Sequence, residues 1–195
     1  MARVFLVVLL ASVAVAAPKA PPKATPKAPP AKKEPPPPPS APMPKVAENV
    51  GEKVLAALQS ATRVQAWRVA SSGGLRPDPS KAIGSDFVRE AEGKELSPAQ
   101  LATLRGILYD DRSYRFTTDV AGCDFKPDVS FRVESGIDTV ETLISFSCAQ
   151  VLFYSGKPGG RWLPAGTFDV KPARKALLEL AKAMMPGDAP TQKLK

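Results

Sequence analysis

The chain has 195 residues, two cysteines, no histidine and a formal net charge of +8. Without imidazole there is no Ser-His-Asp or Cys-His catalysis, no histidine-ligated zinc and no histidine acid–base chemistry. The charge argues against a basic nucleic-acid groove, because residues 17–45 carry six lysines and one glutamate whereas residues 46–195 carry 20 basic and 18 acidic groups.

At the N-terminus, Arg3 precedes an apolar run from Val4 to Ala17. That run suits the core of a signal peptide and is short of the ~20 residues of a membrane-spanning helix. Ala14-Val15-Ala16 forms an A-x-A site. These features predict a signal peptide over 1–16, cleavage before Ala17, no integral membrane span after processing, and a periplasmic or secreted product. An uncleaved N-terminal anchor is the alternative. Lipid attachment at a processed signal is excluded, because the first cysteine is Cys123.

Residues 17–45 hold 13 of the 22 prolines. Proline removes the backbone donor and fixes φ, so the segment builds neither helix nor ladder. It is expected to be a disordered, Pro/Lys/Ala-rich linker of extended polyproline II character. It serves as a solvated spacer or as a basic tail that attracts acidic polymers.

Residues 46–195 are expected to form a single domain. The spacing of Val50, Val54, Leu58 and Ala61 predicts a helix over Val46 to Ala61. Val64 to Ala70 is β-prone around Trp67, and Gly73, Gly74, Pro77 and Pro79 make Ser71 to Ala82 a loop. Glu90, Glu92 and Glu95 cluster before a second helix, as acids that complement a helix dipole do. That helix opens with Ser97 as cap, Pro98 at the first position and Gln100 closing a capping box. Leu101, Leu104 and Leu108 form its apolar face, and it stops at Asp110-Asp111.

Alternation predicts one strand over Tyr114 to Val120 and another through Val129, Phe131 and Val133. Gly136 marks a turn, Thr139 to Tyr154 reads as one bulged strand or two, and Lys157-Pro158-Gly159-Gly160 reads as a hairpin turn. A last helix begins near Pro172 with an Ala173, Leu177, Leu180, Ala181 and Met184 stripe, and Met185-Pro186-Gly187 ends it. The expected fold class is α+β, an antiparallel β-meander with flanking helices.

Cys123 and Cys148 are expected to form a disulfide. Export places them in an oxidising space. A hairpin about Gly136-Ile137 sets Cys148 opposite position 125, and a bulge or diagonal packing then brings the sulfurs together. A redox-active pair would need a Cys-x-x-Cys spacing or a neighbouring histidine, and neither occurs.

The segments Leu96-Ser97-Pro98-Ala99-Gln100-Leu101, Leu108-Tyr109-Asp110-Asp111 with Tyr114, Cys123-Asp124-Phe125-Lys126-Pro127 and Leu143-Ile144-Ser145-Phe146-Ser147-Cys148 together resemble a pattern of uncharacterised bacterial exported proteins. The resemblance implies a paired-cysteine fold and an envelope location. It implies no catalytic residue.

No catalytic residue, metal ligand or cofactor is assigned from the sequence. Gly-x-Ser-x-Gly and Ser-x-x-Lys are absent, and Gly156-Lys157-Pro158-Gly159-Gly160 lacks the ending of a phosphate loop. Asp110, Asp111, Asp124, Asp128 and the three glutamates are the remaining candidates for a histidine-free hydrolase acting on wall or surface polysaccharide, or for Ca²⁺ binding. Solvated turn formers have the same composition. The leading expectation is an exported binding or scaffolding domain for an envelope protein or polysaccharide, with no specific nucleic-acid partner. Trp67, Arg161 and Trp162 are its candidate anchors; burial in the core is the alternative fate of both tryptophans. A third reading is an N-terminally anchored tether spanning the envelope.

Overall fold

A computed structural model describes residues 39–74, 77–116, 122–157 and 161–195. The chain divides into two units, Met1–Pro35 and Pro36–Lys195, and every described residue belongs to the second. The expected signal peptide and most of the linker lie outside the described residues.

The first helix, α1, spans Pro44–Asn49 and opens on a proline in its first turn. Two bonds to distant backbone and side chain dock it: Met43 N–H donates to Tyr109 O at 2.8 Å, and the Asp111 carboxylate accepts Val46 N–H at 2.9 Å. The folded unit therefore begins ahead of Val46. The single helix expected over Val46 to Ala61 is two, because Gly51 adopts φ 91° and separates α1 from α2 (Glu52–Gln59). Only glycine takes that conformation without strain. Of the expected apolar positions, Val50, Val54 and Leu58 are buried, while Ala61 lies beyond the end of α2 and is half-buried.

Seven antiparallel strands follow: β1 (Arg63–Ser71), β2 (Ala82–Ile83), β3 (Phe87–Glu95), β4 (Val129–Ser135), β5 (Asp138–Ser145), β6 (Gln150–Gly156) and β7 (Leu163–Asp169). They form one curled sheet in the order β2-β3-β1-β4-β5-β6-β7. Helix α3 (Pro98–Leu108) has the expected capping box, with Ser97 and Gln100 satisfying each other's backbone donors. Helix α4 (Arg174–Met184) buries the expected stripe, and a short α5 (Ala189–Lys193) follows it. The fold is α+β, as expected.

Several elements differ from the sequence expectation. The glutamates read as a pre-helix acid cluster lie on β3, whose polar sequence Phe-Val-Arg-Glu-Ala-Glu-Gly-Lys-Glu conceals a strand. Two register shifts against β1 interrupt its alternation. Most of the strand expected over Tyr114 to Val120 lies outside the described residues, which omit 117–121; among the described ones, Arg115 bridges Asp169. Thr139 to Tyr154, by contrast, is two strands, β5 and β6, the second of the two expected forms. The expected turn at Lys157 to Gly160 lies between β6 and β7, with residues 158–160 outside the described ones; β7 itself was not expected.

The main core lies between the sheet and the helices. Val64 and Ala66 of β1, Phe131 of β4, Ile144 of β5 and Phe153 of β6 meet Leu58, Leu104, Leu108, Leu177 and Met184 there. The opposite face carries a smaller cluster of Val69, Ile83, Phe87, Leu143 and Tyr154.

The Cys123–Cys148 disulfide is present, with the Cα atoms 5.8 Å apart. The β4–β5 hairpin has the expected register, Val129 opposite Ile144 and Ser135 opposite Asp138. Neither cysteine is on a strand. Cys123 lies in the stretch leading into β4 and Cys148 in the turn after β5. The approach thus comes from the loop, which the Asp128 carboxylate pins by accepting Phe146 N–H at 2.8 Å.

Candidate functional site

The strand ends at the β4–β5 turn, together with α2, enclose a cleft of about 540 Å³. Four segments build it. Helix α2 presents Lys53 and Ala57 on the face next to its buried Val54 and Leu58, and Ser60 ends it. The β4–β5 hairpin brings Ser135, Asp138 and Val140. The end of β6 brings Ser155, Gly156 and Lys157, and the lead into β7 brings Arg161 and Leu163. Gly156 permits this last approach: a Cβ there would sit 2.8 Å from Arg161 O and 3.0 Å from the Trp162 ring. Ser60 and Ser135 hydroxyls lie 2.6 Å apart and tie the helix end to the hairpin.

Electrostatically the cleft is one-sided. Lys53, Lys157 and Arg161 line it with a single carboxylate, Asp138. Among the described residues none of these four is in an ion pair. Hydroxyls of Ser60, Ser135, Thr139 and Ser155 alternate with apolar Ala57, Val140 and Leu163. Leu163 is about half exposed, one of two large apolar side chains so placed among the described residues.

Of the three expected anchors, Arg161 lines this cleft. The structure places the other two elsewhere: Trp67 and Trp162 are half-buried against the Val69, Phe87 and Leu143 cluster on the opposite sheet face. Phe125 joins them through an edge contact with Phe87 at 6.0 Å. The anchors are therefore not one constellation.

Beneath Trp67 is a charged core that the sequence reading missed. Arg89 Nη1 donates to Glu141 Oε1 at 2.5 Å, Ser130 Oγ donates to Glu141 Oε2 at 2.9 Å, and Arg89 Nη2 donates to Ser80 O at 2.9 Å. The Arg89 and Glu141 side chains are 4% and 0% exposed, so the pair is desolvated on both sides. Arg89 also sits 5.7 Å from the centre of the Trp67 ring. Burial raises the Glu141 carboxyl above its ordinary range against the attraction of Arg89, and burial lowers the Arg89 guanidinium against the attraction of Glu141. Both directions agree that desolvation outweighs the pairing. The one available signal was an acid in the middle of a β-rich run, Thr-Val-Glu-Thr-Leu-Ile.

The candidate carboxylates are dispersed, and all but Glu92 are held by structural partners. Asp110 caps the 3-10 turn Asp111–Ser113 and forks onto Arg112, whose hydrogen bond is the main cause of its lowered pKa. Asp111 caps α1. Asp124 pairs with Lys126 at 2.8 Å, and Glu95 with Arg63 at 3.0 Å. Glu90 pairs with Arg68, and Glu92 stands opposite Trp67. Burial raises Asp128, while the Phe146 N–H opposes the shift. None of them lines the cleft. Among the described residues no group of three His, Cys, Asp or Glu is placed to hold a metal ion, and no helix is long and apolar enough to cross a membrane.

No family model matches the chain, no curated protein matches it, and no solved structure matches its fold.

Proposed function

We propose that the chain is an exported binding module, periplasmic or secreted, that holds an envelope component in the β4–β5/α2 cleft without turning it over. The observation that carries this reading is the cleft's content: three exposed cations that no described residue pairs, the Ser155 hydroxyl and the half-exposed Leu163 around one carboxylate. A glycosidase needs two carboxylates across a shared cleft. A binding site needs a concave, largely apolar surface with a few convergent polar groups. The disulfide supports an oxidising compartment, and the Ala14-Val15-Ala16 site supports export. The linker then supplies reach.

Two measurements test the reading. Intact mass of the natively exported protein is expected to show a chain starting at or near Ala17; a full-length product in the membrane fraction would favour the anchored tether instead. Co-sedimentation of that chain with purified cell wall is expected to show retention without release of reducing ends. Release of reducing ends that Asp138→Asn or Asp128→Asn abolishes would replace the binding module with a hydrolase.

A further inference from the structure

We infer that the cleft recognises an acidic glycan, through carboxylate or phosphate groups that Lys53, Lys157 and Arg161 engage. This rests on the binding reading above and specifies its ligand.

The partnering of arginines gives the first argument. Among the described arginines, seven hold a carboxylate or a backbone carbonyl: Arg63, Arg68, Arg89, Arg112 and Arg132 hold acids, and Arg105 and Arg174 hold carbonyls. Of the other two described arginines, Arg115 and Arg161, neither side chain holds an acid or a carbonyl, and only Arg161 lines the cleft, placed there by a close approach to Gly156 that any side chain at 156 would obstruct. A guanidinium left with its donor fork open is suited to a planar oxyanion.

The second argument is charge balance. Residues 46–195 carry 20 basic and 18 acidic groups, a net of +2. The cleft's three cations and one acid also amount to +2. A domain of small net charge thus has a cavity whose lining is three cations to one acid, the cations arriving from three separate segments. Like charges brought together without counter-ions repel, and an anionic ligand relieves that repulsion.

The third argument selects the class of anion. The Ser155 hydroxyl, half-buried in the lining, suits a ligand rich in its own hydroxyls, and the half-exposed Leu163 suits the apolar face of a sugar ring. The cavity volume is within the ~300–1,000 Å³ of small-molecule pockets, enough for a short oligosaccharide segment. Segment 17–45 carries six lysines. It shares the sign of the cleft, so an acidic polymer attracts both.

The test is titration calorimetry on the full mature chain with four probes: trigalacturonate, neutral maltotriose, a mixed-sequence single-stranded DNA oligonucleotide, and phosphatidylglycerol vesicles. Arg161→Glu and the Lys53→Glu/Arg161→Glu pair are the variants, each checked for an unchanged melting temperature. All three cations are exposed, so reversal spares the core. Trigalacturonate is expected to bind, to weaken with added salt, and to lose at least about tenfold in affinity in the double variant. If the variants unfold, Arg161→Gln and Lys53→Gln replace them, with the same direction and a smaller loss. Equal binding of maltotriose, or trigalacturonate binding that the variants leave intact, overturns the acidic-glycan assignment while the binding module survives. Preference for DNA or vesicles overturns it in favour of those partners. Retention of no probe, with no co-sedimentation on cell wall, removes both readings.

Discussion

The two faces of the sheet are built from the same strands and solve burial in opposite ways. Toward the helices, alternate residues such as Val129, Phe131 and Val133 of β4 are apolar and fully buried. Toward the other face, the residues between them, Ser130 and Arg132, join Arg89, Glu141, Trp67 and Tyr154 in a mixed aromatic and charged layer. Apolar burial is non-directional and tolerates exchange. A buried ion pair is directional and stabilises little, because desolvation offsets attraction. Apolar packing against the helices therefore contributes most of the stability, while the Arg89–Glu141 pair ties β3 to β5, with Ser130 of β4 on the same carboxylate.

The largest effect sharpens that contrast. Glu141→Leu strands the Arg89 guanidinium in a dry site and is expected to cost about 3–5 kcal/mol. Phe131→Ala, on the helix face, is expected to cost a similar ~3–5 kcal/mol through its cavity. They differ in rescue. Adding Arg89→Met to Glu141→Leu should return stability to within about 1 kcal/mol of the parent, whereas no single partner change restores Phe131→Ala. Urea unfolding measures all four proteins. A double variant as unstable as Glu141→Leu alone would break the comparison, placing the cost in shape and not in charge.

The disulfide ranks next. Cys123→Ser with Cys148→Ser releases a loop of sequence separation 25 and is expected to cost about 3 kcal/mol, read as a lower urea midpoint. Both sheet faces should survive it, since the bond lies beyond the ends of β4 and β5. Two reactive thiols in the native protein would overturn its structural role.

The smallest effect sets two arginine–carboxylate pairs against each other in pH. Asp188 caps α5 and pairs with Arg68 of β1 at 3.1 Å. Burial opposes its ionisation, but hydrogen bonds from Thr191 and Arg68 outweigh burial and hold the carboxyl below its ordinary range. Its stabilisation is therefore complete above the ordinary aspartate pKa and is lost as pH falls through the lower folded-state value. Asp188→Asn should cost about 1 kcal/mol at pH 7 and progressively less below about pH 4. Glu141 has the opposite sign. Its folded pKa is raised, so its contribution is present below the ordinary glutamate pKa and is lost as pH rises through the folded value. Melting curves from pH 3 to 8 on parent and Asp188→Asn decide this. A gap that widens on acidification would contradict it.

How much of this was legible in the sequence follows from which physics is local. The capping box at Ser97 and the α4 stripe are written in short-range spacing, and both are present as expected. The β4–β5 hairpin was legible because both strands alternate cleanly about Gly136. Strand β3 was not, since its bulges break the alternation and its polar side chains find their partners on distant strands, as Arg89 does in Glu141. The division of Val46 to Ala61 was missed because Gly51 sits where helical spacing of valines and leucines continues on both sides. Arg161 was singled out, but Lys53, Asp138 and Lys157 were not: only the meeting of α2 with the strand ends makes them neighbours.

The position of β1 in the sheet has a kinetic consequence. From β4 to β7 each strand pairs with its successor, so these hairpins close short loops. The first strand in sequence is central in space, and Arg63 must find Glu134 before β2 and β3 can attach to the rest. Loop-closure entropy makes the meander the cheaper nucleus and the insertion of β1 the slow step. In φ-value terms, substitutions in β5 and β6 should slow folding, and substitutions in β1 and β3 should mainly speed unfolding. A chain emerging N-terminus first holds this interior strand without a neighbour until β3 follows, which makes Arg63–Ser71 the segment whose protection during synthesis matters most.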